Sequence, residues 1–362
     1  MSNQEIAKLR DALVDADGEL VQALERRLAA VRRFAALKEA SPELYGSLPS
    51  TEQVVASALE ASSFPAGPLE RALRELLGAC DAVLAPVAVA VLGPEGGFAD
   101  AVARRHFGSS ASLHSRPGIA RVFEDVERKR VTYGVVPLES STDGARTETL
   151  DALVRSGVRI AAEVTLSCTH DLVSATGNEG DVEKIYGTAQ AFGACDQRLA
   201  QVFPKATRLE VLSGSVAEEL AAEDHGAAAV IVGGREPHDL ESGGLRLVLT
   251  RIEDQADLET RFVVISHERP SRTGTDRTLV ALAAGDQPGS LHETLRPFAE
   301  RGINLTRIES RPSRGTRWRY LFILELDGHI TDRPVMTAID EVRGVSRHLE
   351  ILGSFPRPVR DA

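Results

Sequence analysis

The sequence predicts a multidomain chain in three parts: an all-α N-terminal module, a central α/β domain, and a C-terminal α+β module of ferredoxin-like order. Three observations carry that expectation. Apolar residues recur at steps of three and four through the N-terminal part. From Val87 onward, short apolar runs alternate with glycine turns and helical patterns. After a polar linker, Glu268 to Asp276, the order reads β-α-β-β-α-β. The expected domains are residues 1–85, 87–267 and 276–357 of a 362-residue chain.

In the first part, Ile6, Leu9, Leu13, Ala16, Leu20, Leu24, Leu28, Val31 and Phe34 form one face of a long helix, with no proline before Pro42. A second helix begins near Thr51 with Val54, Val55 and Leu59. A third runs from about Pro68 through Leu69, Leu73, Leu76, Leu77 and Cys80. Long helices with narrow apolar faces bury them against one another or against a second copy, so a homodimer or homotetramer is expected.

In the central part, Val87 to Leu92 reads as a buried strand that ends in Gly93-Pro94-Glu95-Gly96-Gly97-Phe98, followed by a helix from Ala99 to Phe107. Gly134 to Leu138 leads through Glu139-Ser140-Ser141 to a helix over 147–156. Val182 to Tyr186 leads to Gly187-Thr188-Ala189-Gln190, and Ala227 to Val232 is a further buried strand. This alternation implies parallel-type sheets, with ligand sites at the carboxyl ends of the strands. Glu259-Thr260-Arg261-Phe262 reads as a short turn carrying a hydroxyl and a guanidinium, ahead of the buried strand Val263-Val264-Ile265.

In the third part, strands are expected at 278–284, 303–310 and 320–327, with a last one around Leu349, Ile351 and Leu352. Leu291, Leu295 and Phe298 mark one helical face; Val335, Ile339 and Val342 mark another.

Composition bounds the function. A net charge of −11 argues against nucleic acid or an anionic membrane as the main partner, because phosphate binding needs clustered Lys and Arg. Met1 to Glu5 has no basic n-region, and no apolar run is long enough to span a bilayer, so a cytoplasmic protein is expected. Cys80, Cys168 and Cys195 are widely spaced, with no CxxC pair or His/Cys cluster, so no metal is expected. The glycine turns match neither GxGxxG nor GxxxxGK[ST], and no cofactor is expected.

Three resemblances follow one another along the chain. Leu9-Arg10-Asp11, Glu25-Arg26-Arg27 and Lys38 resemble the all-α chorismate mutase module. That likeness implies that Arg10, Arg27 and Lys38 hold the two carboxylates of chorismate in a reactive fold. The likeness is incomplete. Ser47 to Glu52 lacks the family's Arg-Glu pair, and Cys80 and Leu84 stand where the family carries Ser and Gln.

GPEGGF, YGVVPLESSTDG and IEDQADLETRFVVI resemble the blocks of prephenate dehydratases over about residues 87–266. The resemblance implies a two-lobed, periplasmic-binding-protein-like domain. It also implies conversion of prephenate to phenylpyruvate, CO2 and water. In it Thr260 is the donor to the departing hydroxyl and Arg261 belongs to the same site loop, with Ser140 and Gln190 as further site residues. A Thr hydroxyl is too weak an acid for complete proton transfer at neutral pH, so its role is donation and positioning. Ser140 and Ala194 replace two amides usual in the family, and Gly97 replaces a usual Thr. His170 sits where the family often has a His, and reads as a core or pocket-lining residue before a base.

Gly289-Ser290-Leu291-His292, Gly302-Ile303-Asn304-Leu305-Thr306 and Glu309-Ser310-Arg311-Pro312 resemble the phenylalanine-binding ACT domain of the same enzymes. Gly289, Ser290, Leu291, Asn304, Glu309, Ser310, Arg311 and Pro312 are then the effector-binding set, with L-phenylalanine as allosteric effector. Together the three parts resemble the P-protein family, the bifunctional chorismate mutase–prephenate dehydratases of phenylalanine biosynthesis. Three readings stay open: a feedback-regulated prephenate dehydratase, a catalytically impaired phenylalanine sensor derived from one, and altered prephenate chemistry such as decarboxylation without loss of the hydroxyl, against which Thr260 argues.

Overall fold

The structure is a computed structural model that describes residues 3–40, 51–83, 87–141, 144–235, 237–285, 287–312 and 320–358. Positions 47–50 and Leu84 lie outside the described residues, as do the side chains of Lys38, Glu52 and Pro312. The described residues form two compact units: the three N-terminal helices, with which residues 107–112 group, and the rest of the chain from Ala88.

The first unit holds α1 (Asn3–Ala40), α2 (Thr51–Ala61) and α3 (Ala66–Ala82). The expected face of α1 divides in two. Leu24, Leu28, Val31 and Phe34 are half-buried in the half of the helix that packs against α3. Ile6, Leu9, Leu13 and Leu20 remain 40 to 65% exposed. Val55, Leu77 and Cys80 are the buried apolar positions of the helical unit among the described residues.

The second unit begins with β1 (Ala88–Leu92), α4 (Phe98–Phe107), β2 (Ser112–Arg116), α5 (Ile119–Glu127), β3 (Tyr133–Ser140), β4 (Gly144–Ala145), α6 (Thr147–Arg155) and β5 (Arg159–Ser167). The chain then crosses into a second sheet built from β6 (His170–Ser174), β7 (Lys184–Gly187), α7 (Ala189–Val202), β8 (Thr207–Glu210), α8 (Gly214–Glu223), β9 (Ala227–Val232), α9 (Pro237–Ser242) and β10 (Arg246–Leu249). It returns through residues 250–258 to β11 (Glu259–Ser266). The C-terminal module follows as β12 (Asp276–Ala283), α10 (Ser290–Glu300), β13 (Leu305–Pro312), β14 (Tyr320–Asp327), α11 (Arg333–Val345) and β15 (His348–Pro356).

Two lobes result. The second lobe is a five-stranded sheet in the order β10-β6-β9-β7-β8, packed on both faces by its helices. The first lobe shares a ten-stranded sheet with the C-terminal module, in the order β13-β14-β12-β15-β5-β11-β3-β1-β2, with β4 paired to β3. Both sheets are mixed, which corrects the expectation of parallel-type sheets. β11 returns from the second lobe and inserts antiparallel between β3 and β5. Alternating strand–helix patterns give no sign of such a return strand, because its crossover runs through another sheet.

The C-terminal module has the expected β-α-β-β-α-β order, and one face of its sheet is covered by α10 and α11 around Phe298, Leu324, Val335 and Ile339. The other face contributes Leu279, Ala281, Ile323, Leu352 and Phe355 to the core of the first lobe. The two parts are joined where β15 runs parallel to β5, with Gly353 opposite Ile160. A Cβ at 353 would lie 2.7 Å from both the Cβ and the carbonyl oxygen of Ile160, so only glycine fits that approach.

Candidate active site

Residues 259–262 are not a turn. They open β11, whose ladder places Thr260 opposite Ser140 on β3 and Leu166 on β5. Successive side chains of a strand point to opposite faces. Thr260 and Ser140 therefore share one face, while Arg261 and Glu139 share the other. The sequence reading placed Thr260 and Arg261 in one site loop; the ladder divides them.

Thr260 is buried, and its hydroxyl oxygen accepts a hydrogen bond from the Cys168 thiol at 3.2 Å. Cys168 sits in the crossing between β5 and β6. Burial pushes its pKa up, with the Thr260 hydrogen bonds acting against that shift, so the thiol stays protonated at neutral pH. A thiol that donates to Oγ1 leaves the Thr260 proton for another acceptor. The strand end is bracketed by a pair of bonds: Ser141 N donates to the Glu259 carbonyl at 2.9 Å, and Glu259 N donates to Ser141 Oγ at 3.1 Å.

His170 opens β6, two residues beyond Cys168. Its ring is buried and meets Phe98 edge-on, with centroids 5.1 Å apart. Burial lowers its pKa against the pull of Glu253 and Asp171, so the imidazole is neutral. Its Nδ1 has no hydrogen-bond partner among the described residues. Phe98 ends the GPEGGF turn, so this contact links the first block to the second lobe.

The same turn touches the second lobe again. Gly96 adopts φ +72°, and a Cβ there would come 3.0 Å from the Ser215 amide. Gly214 N donates to the Glu95 carbonyl at 3.2 Å. Gly214 and Ser215 begin α8, which Ser213 caps by accepting from Val216 N. Thr188 caps α7 in the same way, and Gln190 lies exposed in the first turn of α7. Helix starts of this kind present backbone N–H groups and a positive dipole end, which suit carboxylates.

Sequence reasoning missed Ser213-Gly214-Ser215. The signal was available: a serine followed by an alanine- and glutamate-rich helical run is an N-cap pattern. It also missed Cys168, whose partner lies 92 residues away, and for that contact the sequence held no signal.

On the opposite face, Arg261 is held by three carboxylates. Its Nε and Nη2 donate to Glu163 at 2.8 and 2.9 Å, Nη1 to Glu139 at 2.9 Å, and Nη2 to Glu325 at 2.7 Å. Burial alone would lower the guanidinium pKa, but Glu163 and Glu325 outweigh it and hold it above its ordinary value. Glu325, also buried, is held below the usual carboxylate range by Arg261, with Thr306 and Arg277 adding to the effect and desolvation opposing it.

The other expected residues are more dispersed. Arg10 is exposed on α1, while Arg27 faces α3 at 3.7 Å from Asp81. In the C-terminal module, Gly289 takes φ +87° at the head of α10, which Ser290 begins, and Leu291 is half-buried. Asn304 Nδ2 donates to Asp327 at 3.2 Å. Ser310 is exposed on β13 opposite Phe322. Glu309 accepts from Arg307 at 2.7 Å, and Arg311 donates to the Thr147 carbonyl at 3.1 Å and pairs with Asp151 at 3.3 Å. Glu309 and Arg311 are thus engaged within the chain.

A two-lobed α/β domain with a hydroxyl-bearing strand between Ser140 and Leu166, continued by a ferredoxin-like module, defines a class: small-molecule enzymes with an appended regulatory fold. The prephenate dehydratase family model matches residues 89–270, and the ACT domain model matches residues 277–344. Among curated relatives, a bifunctional chorismate mutase/prephenate dehydratase of Neisseria gonorrhoeae is 32% identical over 97% of this chain and 96% of its own length. One of Aquifex aeolicus is 33% identical over 98% of each. A solved structure of prephenate dehydratase from Arthrobacter aurescens in complex with L-Phe is 31% identical. It covers 75% of this chain and 90% of its own, with a TM-score of 0.60. The chain belongs to the prephenate dehydratase family, in the form that carries a C-terminal ACT domain. Among the described residues, no helix is long and apolar enough to cross a membrane.

Proposed function

We propose that the face of β11 bearing Thr260 carries out the dehydration of prephenate to phenylpyruvate, and that L-phenylalanine bound to the ACT domain regulates it. In the reaction, the bond from the ring to its carboxylate breaks and releases CO2. The electron pair enters the ring as the opposite C–O bond breaks. The departing hydroxyl takes up a proton and leaves as water. Aromatisation supplies the drive, so the protein needs a donor at the leaving oxygen and groups that hold two carboxylates.

The observation that carries this reading is the Thr260 hydroxyl, whose oxygen is occupied by the Cys168 thiol and whose proton is therefore directed to another acceptor. Ser140 stands beside it in the ladder. Gln190 and the capped starts of α7 and α8 are the candidates for carboxylate binding. Arg261 supports the site from the opposite face. The buried, neutral His170 lines the site and is too weakly basic to be charged at neutral pH.

The remaining assignments are part of the same proposal. The functional division is 1–85, 87–267 and 276–357. Gly289, Ser290, Leu291 and Asn304 hold the effector, with the strand from Glu309 to Pro312 at the interface. Arg10, Arg27 and Lys38 are the chorismate-binding set of the helical module if that module retains mutase activity. The bare apolar stripe Ile6, Leu9, Leu13 and Leu20 fits a second copy of the chain, since a monomer leaves it in water.

The test is a spectrophotometric assay of the purified chain with prephenate at neutral pH, following phenylpyruvate with and without L-phenylalanine. Turnover that is lost in Thr260→Ala and reduced by L-phenylalanine is the expected result. Clear phenylalanine binding with no turnover would overturn the enzyme reading in favour of a sensor.

A further inference from the structure

The face of β11 opposite Thr260 carries a cluster of seven charged side chains from six strands. Arg261 (β11), Arg277 (β12) and Arg307 (β13) meet Glu139 (β3), Glu163 (β5), Glu309 (β13) and Glu325 (β14). Arg277 bonds both oxygens of Glu163 at 3.1 Å and approaches Glu325 at 3.6 Å. Arg307 reaches Glu139 at 3.1 Å, and Thr306 Oγ1 donates to Glu325 at 2.7 Å. Glu163 and Glu325 are buried. Burying carboxylates is costly unless each is paired, so the cluster holds only as a complete set.

Its placement ties it to the site. Ser140 and Thr260 face the reaction side, and the residue next to each, Glu139 and Arg261, enters the cluster. The ladder between β3 and β11 slips in register between Arg261 and Phe262, where Phe262 pairs with Pro137 instead of Leu138. Pro137 has no N–H to give. The β5 side of the ladder pairs without a break from Glu259 to Val264, so the irregularity lies on the β3 side, where the bond of Arg261 to Glu139 adds to the ladder. One of the three carboxylates that hold Arg261, Glu325, belongs to the C-terminal module.

We propose that Glu325 is a positioning residue for the dehydration: through Arg261 it sets the end of β11 and hence the Thr260 hydroxyl, and the effector changes turnover by shifting this carboxylate. The inference rests on the reading of Thr260 given above. Glu325 touches no substrate. A mispositioned donor weakens an interaction made at the leaving oxygen in the transition state, so the effect falls on kcat and not on KM. The buried carboxylate lies on a strand of the effector-binding module, which gives that module direct mechanical access to the site.

The experiment uses the full chain. Wild type and Thr260→Ala come first: if wild type does not turn over prephenate, the functional reading fails and the positioning role with it; if it does, the role is tested alone. Glu325→Gln keeps the shape and removes the charge. It is expected to lower kcat by about tenfold with KM within about twofold. The L-phenylalanine concentration for half-inhibition should rise by about fivefold or more, while calorimetry shows L-phenylalanine still bound. Glu325→Asp should recover part of kcat. In an Arg261→Gln background, Glu325→Gln should cost less than about twofold more, since the two act as one unit.

A folded Glu325→Gln with wild-type kcat and unchanged phenylalanine response would overturn the proposal, as would losses that multiply fully with Arg261→Gln. If Glu325→Gln does not fold, Thr306→Val decides. It removes one bond to Glu325 and no charge. It should lower kcat by about two- to threefold and blunt the phenylalanine response; wild-type behaviour in it would count against the proposal.

Discussion

The two faces of β11 use the same backbone for opposite ends. On one, Thr260, Ser140 and Cys168 are uncharged and buried, and the Cys168 thiol donates to Thr260. On the other, Arg261 makes four hydrogen bonds to three carboxylates. The first face leaves a proton to give; the second turns its donors onto its own carboxylates. A single strand can separate chemistry from support because its side chains alternate. Adjacent residues in sequence can therefore have unrelated duties, and substitutions at 260 and 261 should fail in different ways.

The largest contrast is in rate. Thr260→Val should lower kcat by about a hundred- to a thousandfold, with a thermal midpoint near that of wild type. Steady-state kinetics beside a melting curve checks it; a large stability loss would mean that the hydroxyl face is structural as well. Arg261→Ala should instead destabilise strongly, by about 3–5 kcal/mol, because the buried Glu163 and Glu325 then share Arg277 as their one remaining cation. Denaturant unfolding measures that. A mild loss there would erase the distinction between the faces.

Two smaller effects sharpen it. His170 has a lowered pKa in the fold, so the unfolded chain binds the proton more readily as pH falls. Its contribution to stability is complete above its ordinary value of 6.5 and is lost as pH falls below that. Melting curves should show a shallower fall between neutral and mildly acidic pH in His170→Gln than in wild type. Glu325, whose pKa is also lowered, should add a further loss only at more acidic pH, below its ordinary value of 4.5. The smallest expected change is in Cys168→Ala. Removing the thiol that donates to Thr260 should cost about two- to tenfold in kcat, leaving KM nearly unchanged.

Much of this arrangement was legible in the sequence. The GPEGGF turn, the strand at Ala227–Val232 and the six-element order of the C-terminal module all follow from local periodicity and turn chemistry. Thr260 stood out through the resemblance of its block to prephenate dehydratases, since a short motif before a buried run is a weak signal by itself. The face it occupies did not, because 259–262 looked like a turn until β3 and β5 were found on either side of it. The Arg261 cluster was equally hidden. The three carboxylates that hold Arg261 lie 64 to 122 residues from it, and each charge taken alone reads as a solvated one. Local pattern reports which residues are apolar and how they repeat. It does not report which distant strand lies beside them.

Gly353 gives the protein a grain. Where β15 meets β5 the backbones come too close for any side chain, and the sheet runs on from the C-terminal module into the first lobe as one fabric. The second lobe meets the first differently, through the turn after β1, where Gly214 N donates to the Glu95 carbonyl, and through the two chain crossings at 167–170 and 250–258. A load on the C-terminal module therefore passes through backbone into β5 and on to its neighbour β11.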